Sequence, residues 1–280
     1  MISVIIPAYN RQDTITRAVE SVLCQTYSDI EVIVVDDCSK DNTVATVKKI
    51  KDERLRVIEC KENSGACRAR NIGIDYAKGE YISFQDSDDV WHANKLEIEL
   101  KKLIDMDVDV VGCGFFKYDG KRKIQWPTHK IEGNYLERVL KGNYVTTQAI
   151  LAKKECLQKE KFDISLKRYQ DWELVIRLLK NYKFYFINEA LIDVYLQNDS
   201  ITKNHMAGAD SAMYILEKHK ELYRNYPKSD KVIKKIYAYG KMQEGKFEHN
   251  YYKDILSDYG FDIFILVRSL QYELRKRVIK

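Results

Sequence analysis

Ile2-Ser3-Val4-Ile5-Ile6-Pro7 opens the chain as a β-branched run closed by proline. Ile15, Ala18, Val19, Val22 and Leu23 then recur at helical spacing, and Ile30-Glu31-Val32-Ile33-Val34-Val35 is β-branched again. The two runs read as strands buried on both faces, and the spaced set as one stripe of a helix. Working outward, the same alternation continues. Asp41-Asn42 precedes a short helix striped by Val44, Val47 and Ile50, and Leu55-Arg56-Val57-Ile58 is a third strand. A helix over about residues 65–77 leads to a fourth strand, Tyr81-Ile82-Ser83-Phe84. Leu96, Leu100, Leu103 and Ile104 stripe the next helix, with Val108 to Phe115 after it. Such alternation predicts an α/β fold: a mostly parallel central sheet, right-handed crossovers and flanking helices.

Beyond residue 115 the pattern loosens. Short aromatic-rich strands are expected at Thr147 to Ala152, Phe184-Tyr185-Phe186 and Asp193-Val194-Tyr195, around one helix at about 171–181. After Asn204 the chain reads helical, over about 208–225, 229–247 and 262–279, punctuated by Pro227 and Gly260. The expected organisation is one domain over 1–204, in two halves at 1–115 and 116–204, and a helical C-terminal region over 205–280.

With 45% hydrophobic and 32% charged residues, the 280-residue chain can bury a core and does not fit the disordered class. Its longest apolar run is five residues, Ile263 to Val267, far short of the roughly 20 a membrane span needs. The N-terminus lacks the basic start and cleavage site of a signal peptide, so the expected compartment is the cytoplasm. Six cysteines without a C-x-x-C pair, and five scattered histidines, offer no zinc-ligand spacing and suit reduced thiols. The charge is uneven. Residues 201–280 carry 16 Lys/Arg against 10 Asp/Glu, whereas the first 200 are nearly balanced.

Ligands of open parallel sheets bind beyond the carboxyl ends of the strands. Three polar clusters stand there: Pro7-Ala8-Tyr9-Asn10, Asp36-Asp37-Cys38-Ser39 and Gln85-Asp86-Ser87-Asp88-Asp89. Carboxylates converging from two strands are costly unless a cation or hydrogen-bonding ligand sits among them. The Asp86-Ser87-Asp88 spacing suits a hard divalent cation that also touches a diphosphate. The plainer alternative is helix capping, with Asp89 or Asn94 capping the Leu96 helix. Neither G-x-G-x-x-G nor G-x-x-x-x-G-K-[ST] is present, so a nucleotide would be held by side chains and a metal.

Ser3 to Asn10, Val35-Asp36-Asp37-Cys38-Ser39, Asn63-Ser64-Gly65 with Ala69-Arg70-Asn71-Ile72-Gly73, and Phe84 to Asp89 follow the order and spacing of the family-2 glycosyltransferases. Phe162-Asp163 and Tyr169-Gln170-Asp171-Trp172-Glu173-Leu174 resemble that family's second acidic motif. The resemblance covers residues 1 to about 200. It implies a GT-A fold, a nucleotide-sugar donor, most simply a UDP-sugar, and inversion at the anomeric carbon. It makes 1–115 the nucleotide-binding half and 116–204 the acceptor-binding half. By the same resemblance Asp37 reads the uracil or its ribose, Pro7, Ala8 and Tyr9 line the base pocket, and Arg70 lies near the nucleotide. An ion pair of Arg70 with Asp36 or Asp37 is the structural alternative. Asp86 is directed to the ribose, Asp88 to Mn²⁺ or Mg²⁺, and Asp171 is the general base, or else a helix cap. Gln170 departs from the glutamate the family often has there.

The chemistry suits these roles. A carboxylate accepting the acceptor hydroxyl's proton contributes roughly 10²–10⁴ in rate, and a divalent cation neutralises the departing diphosphate. The last helix stripes Ile263, Leu266, Val267, Leu270, Leu274 and Val278 beside Arg268, Arg275, Lys276, Arg277 and Lys280. It either packs on the catalytic domain or docks on anionic lipid, as suits a polyprenyl-diphosphate-linked saccharide acceptor at the inner face of the cell membrane. No nucleic-acid motif accompanies the charge. The expected function is metal-dependent glycosyl transfer in bacterial surface polysaccharide assembly, O-antigen or capsule among them. Its rivals are a nucleotidyltransferase and a catalytically silent sugar-binding module.

Overall fold

The computed structural model describes residues 1–120, 122–195, 204–226 and 229–243, and the expected helix at 262–279 lies outside them. The opening alternation is borne out: β1 (Ile2–Ala8), α1 (Ile15–Leu23), β2 (Ile30–Asp36), α2 (Thr43–Val47), β3 (Leu55–Glu59), α3 (Ala66–Tyr76) and β4 (Tyr81–Phe84). Every residue of β1 and β2 is buried, as β-branched runs covered on both faces should be. Pro7 does not end β1. It pairs with Val35, and its imino nitrogen falls on the side of β4, whose pairing with β1 stops at Ile5 and Phe84. The missing N–H therefore leaves no gap in a ladder. Helix α3 lies close on β1 through Gly73, where a Cβ would stand 2.3 Å from Ile5 Cγ2.

With β5 (Val90–Trp91), β6 (Val110–Asp119), β7 (Arg122–Trp126), β8 (Ile150–Lys153) and β9 (Phe184–Tyr195), the strands form one mixed sheet in the order β3-β2-β1-β4-β8-β6-β9-β5, with β7 on the edge of β6. Its first four strands are parallel, and the crossing to β8 (Ile150–Lys153) is antiparallel. Strand β6 (Val110–Asp119) runs antiparallel to β8 and to β7 (Arg122–Trp126), and parallel to β9 (Phe184–Tyr195). The two expected strands at 184–186 and 193–195 are one twelve-residue strand. Asn188-Glu189 breaks the apolar pattern because the β6–β9 register shifts around Gly114. A Cβ there would lie 3.1 Å from the carbonyl oxygens of Glu189 and Trp126, so glycine admits the bulge.

Four elements carried no readable pattern. They are the two-residue β5 (Val90–Trp91), the wholly exposed β7, and the short helices α5 (Tyr135–Lys141) and α6 (Lys154–Lys159). In α4 (Lys95–Asp105) the buried face holds Leu96, Leu100 and Leu103 as expected, but Ile104 is 61% exposed. Lys95 and Glu99 occupy the buried face instead, paired at 2.7 Å, with the ammonium 4.0 Å above the Trp91 ring. Each charge is tolerated there because the other neutralises it.

Contacts divide the chain into two compact units. The first takes in residues 1–139, 143–166 and 170–198, and so holds the sheet and α7 (Gln170–Asn181). The second joins 140–142 and 167–169 to α8 (His205–Lys218), α9 (Lys220–Asn225) and α10 (Asp230–Gln243). Within it Arg168 donates to the Asn204 carbonyl, and Tyr223, buried, donates to the Leu140 carbonyl.

Candidate active site

The ends of β1, β2 and β4 carry the three clusters. Ala8 is buried and Tyr9 is 41% exposed. Asp36 and Asp37 are both buried. Asp37 accepts from the backbone N–H groups of Ser64 (2.9 Å) and Gly65 (2.7 Å), so it fixes the loop that starts α3. Asp36 accepts from the Ser39 N–H through Oδ2, while its buried Oδ1 has no partner.

Arg70 projects from α3 toward the end of β4 and does not pair with Asp36 or Asp37. Its Nη2 donates to Asp86 Oδ1 at 2.9 Å and its Nη1 to Gln170 Oε1 at 3.1 Å. The guanidinium is nearly buried and lies 5.4 Å from the Phe162 ring centroid. Asp86 remains about one-third exposed.

Asp89 does not cap α4. The N-cap is Asn94, which makes no side-chain cap bond. Asp89 is buried, accepts from the Tyr195 N–H at 2.7 Å and from the Gln148 amide, and so ties the acidic loop to the end of β9. Burial, reinforced by the charges of Asp88 and Asp86, pushes its carboxyl well above the usual aspartate range. Arg17 of α1 donates to the Asp88 carbonyl and stacks 4.4 Å from the Tyr195 ring centroid.

Asp171 is the second residue of α7, inside the helix rather than at its cap, and accepts from the Trp172 N–H at 2.8 Å. The Trp172 indole donates to the Val139 carbonyl at 2.6 Å and anchors this turn. Desolvation raises the Asp171 carboxyl; the Asn143 amide, the Trp172 N–H and Arg70 oppose that rise, and Asp86 adds to it. A carboxylate biased toward the neutral form binds a proton more readily, which is what a base needs. Gln170 is the neutral acceptor for Arg70 next door and adds no second negative charge beside Asp171.

The structure thus joins Arg70, Asp86, Gln170 and Asp171 in one polar group. Asp37 stands apart as the anchor of the β3–α3 loop. Sequence reasoning passed over Arg17, Asn143 and Gln148, whose roles depend on partners about 30 to 70 positions away. No local spacing signals such contacts.

Among the described residues no cluster of three or more His, Cys, Asp or Glu forms a protein-only metal cage. The donor set at the β4 end is carboxylate oxygen. It suits a hard cation that keeps waters and takes its other ligands from a diphosphate, since such ions are bound by one or two carboxylates plus substrate phosphates. Burial is the main cause of the raised Asp89 carboxyl, and the negative charges of Asp88 and Asp86 add to it.

The sequence profile of Glycosyl transferase family 2 matches residues 3–165. TuaG of Bacillus subtilis (strain 168), a glycosyltransferase assigned to teichuronic acid biosynthesis, is 31% identical over 228 residues, 80% of this chain and 90% of that protein. WfgD of Escherichia coli, a UDP-Glc:α-D-GlcNAc-diphosphoundecaprenol β-1,3-glucosyltransferase, is 42% identical over 104 residues, 37% of this chain and 41% of that protein. The crystal structure of Staphylococcus aureus TarS 1–349 with UDP-GlcNAc superposes with a TM-score of 0.64 at 19% identity, covering 92% of this chain and 79% of that one. The profile spans more than half of the chain and the TuaG match most of it, so the chain belongs to glycosyl transferase family 2.

Proposed function

We propose that the protein transfers a sugar, with inversion, from a UDP-sugar to a hydroxyl of a polyprenyl-diphosphate-linked saccharide during bacterial surface polysaccharide synthesis. The observation that carries this reading is the Arg70 guanidinium, which holds Asp86 on the donor side and Gln170, neighbour of Asp171, on the other. In this reading the donor nucleotide lies over Pro7, Ala8 and Tyr9, with Asp37 toward the uracil or its ribose, Arg70 near the nucleotide and Asp86 toward the ribose. Asp88 would hold Mn²⁺ or Mg²⁺, which supplies charge neutralisation for the departing diphosphate.

Asp171 accepts the proton of the attacking hydroxyl at a carboxylate oxygen while Asn143 and the Trp172 N–H keep that carboxylate oriented. One carboxylate is enough, because a direct displacement needs no protein nucleophile. Support for the donor and acceptor classes comes from the WfgD relationship.

No helix among the described residues is long and apolar enough to cross a membrane. Peripheral attachment through residues 205–280 remains part of the proposal and rests on their excess of Lys and Arg. Sedimentation with phosphatidylglycerol vesicles should be salt-sensitive, and absence of binding at low salt would remove it.

The test of the reading is incubation with Mn²⁺, labelled UDP-sugars and a short-chain polyprenyl-diphosphate N-acetylglucosamine. Release of UDP with labelled lipid product is expected. Pyrophosphate formation from UTP and a sugar phosphate would identify a nucleotidyltransferase, and UDP binding without turnover a silent binding module.

A further inference from the structure

A second feature lies apart from the β4 carboxylates. Strand β7, the loop 127–130 and β9 enclose an open cavity of about 540 Å³, the size of a small-ligand site. Lys123, Gln125, Thr128, His129, Lys130 and Asn188 supply its polar wall, and no Asp or Glu lines it. The loop is held in place. Asn188 accepts from the Ile131 N–H at 2.7 Å and donates to the Ile131 carbonyl at 3.1 Å, so the lysines stand on a fixed frame. Lys123 sits 3.9 Å from the Phe116 ring centroid and 3.7 Å from Asp193, which leaves Lys130 as the cation less offset by its surroundings.

The cavity adjoins the proposed base. Asn143 donates to Asp171, and the next residue, Tyr144, meets His129 of the cavity wall edge-on, with ring centroids 5.8 Å apart. Asn143 and Tyr144 thus link Asp171 to the wall that carries the lysines, so an acceptor extended along this line offers its hydroxyl at one end and an anionic group at the other. In WfgD's acceptor the diphosphate is attached to the sugar that is extended. A diphosphate is an anion that lysines recognise as point charges.

We infer that this cavity seats the diphosphate of the acceptor, with Lys123 and Lys130 as its cationic contacts. The inference rests on the proposed function, whose acceptor class it narrows to saccharides that carry the diphosphate near the reacting hydroxyl. The distinction matters for specificity, because sequestering the donor's diphosphate at the β4 end and the acceptor's at β7 keeps the two anions from competing.

Two soluble acceptors test it: N-acetylglucosamine bearing an α-diphosphate with a short alkyl chain, and the same sugar as a neutral alkyl glycoside. The unaltered protein should show a KM for the diphosphate acceptor at least about tenfold lower, the scale of charged hydrogen bonds. In Lys123→Ala/Lys130→Ala that preference should vanish, while UDP affinity, acceptor-free donor hydrolysis and Tm stay unchanged. Lys130→Ala alone, on the exposed loop, should lose part of it. A preference that survives the double substitution, or none in the unaltered protein, overturns the inference. A glucuronide with a neutral aglycone that matches the diphosphate acceptor would assign the cavity to a sugar carboxylate and also overturn it. Should neither acceptor be used, the proposed acceptor class fails, and farnesyl diphosphate titrated in EDTA still decides the cavity: binding lost in the double variant supports it, and no binding overturns it.

Discussion

Two acidic pairs end neighbouring parts of the same sheet, and they are built oppositely. At the end of β2, Asp37 is saturated by backbone N–H donors of its own chain and holds a loop. At the end of β4, Asp86 has a single guanidinium, and with Asp88 it adds to the rise that burial imposes on the Asp89 carboxyl. Asp37 serves the fold; Asp86, about one-third exposed, remains open to a ligand. Acidic residues at a strand end therefore say little by themselves, and their donors decide what they do.

The largest expected effect lies outside both pairs and sharpens the comparison by isolating chemistry from binding. Asp171→Asn is nearly isosteric but takes no proton, so kcat should fall by roughly 10²–10⁴. In the unaltered enzyme the raised Asp171 carboxyl should place the acidic limb of the kcat–pH profile above the ordinary aspartate value of about 3.9, because rate appears only as the carboxylate ionises. A limb at or below that value would break the assignment.

Asp88→Ala comes next, with a fall in turnover of at least ~10²-fold, matched by EDTA on the unaltered protein. Removing this charge relieves Asp89, so Tm should hold or rise. Asp37→Ala should do the reverse to the fold. The Ser64 and Gly65 N–H groups lose their acceptor at a cost of about 1–3 kcal/mol, and Tm should drop by several degrees. If Asp88→Ala melts lower than Asp37→Ala, the contrast between the two pairs is wrong.

The smallest effect concerns Asp89. Its folded-state carboxyl is raised, so the folded protein binds the proton more tightly than the unfolded chain, and stability declines as pH rises from the ordinary aspartate range through the raised value. Asp89→Asn removes that decline. Gln148 Oε1, buried without a partner, can turn to accept from the new amide. Thermal melts of the two proteins should diverge toward higher pH, with the asparagine variant the more stable there. Parallel curves would contradict it.

Apart from β5, the elements of the first 105 residues were legible because burial on both faces of a parallel strand, and one face of a helix, each leave a period in the sequence. Elements without such burial were silent: β7 is exposed along its whole length, and β9 disguises itself as two strands because its bulge admits Asn188-Glu189. The site was legible in its residue types but not in its pairings. The sequence offers Arg70 an ion pair with Asp36 or Asp37, and the fold gives it Asp86 and Gln170 instead. Asp89 read as a cap because its real partners, Tyr195 and Gln148, lie 106 and 59 positions away.

The central claim is a division of labour: the β4 carboxylates serve the donor, and Asp171 serves the acceptor's proton. Calorimetric titration of the UDP-sugar with Mn²⁺ into Asp171→Asn and Asp88→Ala, set beside their rates at donor saturation, tests it most directly. The account predicts wild-type donor affinity with a lost rate in Asp171→Asn, and weakened donor affinity in Asp88→Ala. Collapse of donor affinity in Asp171→Asn with a normal rate at saturation would contradict it.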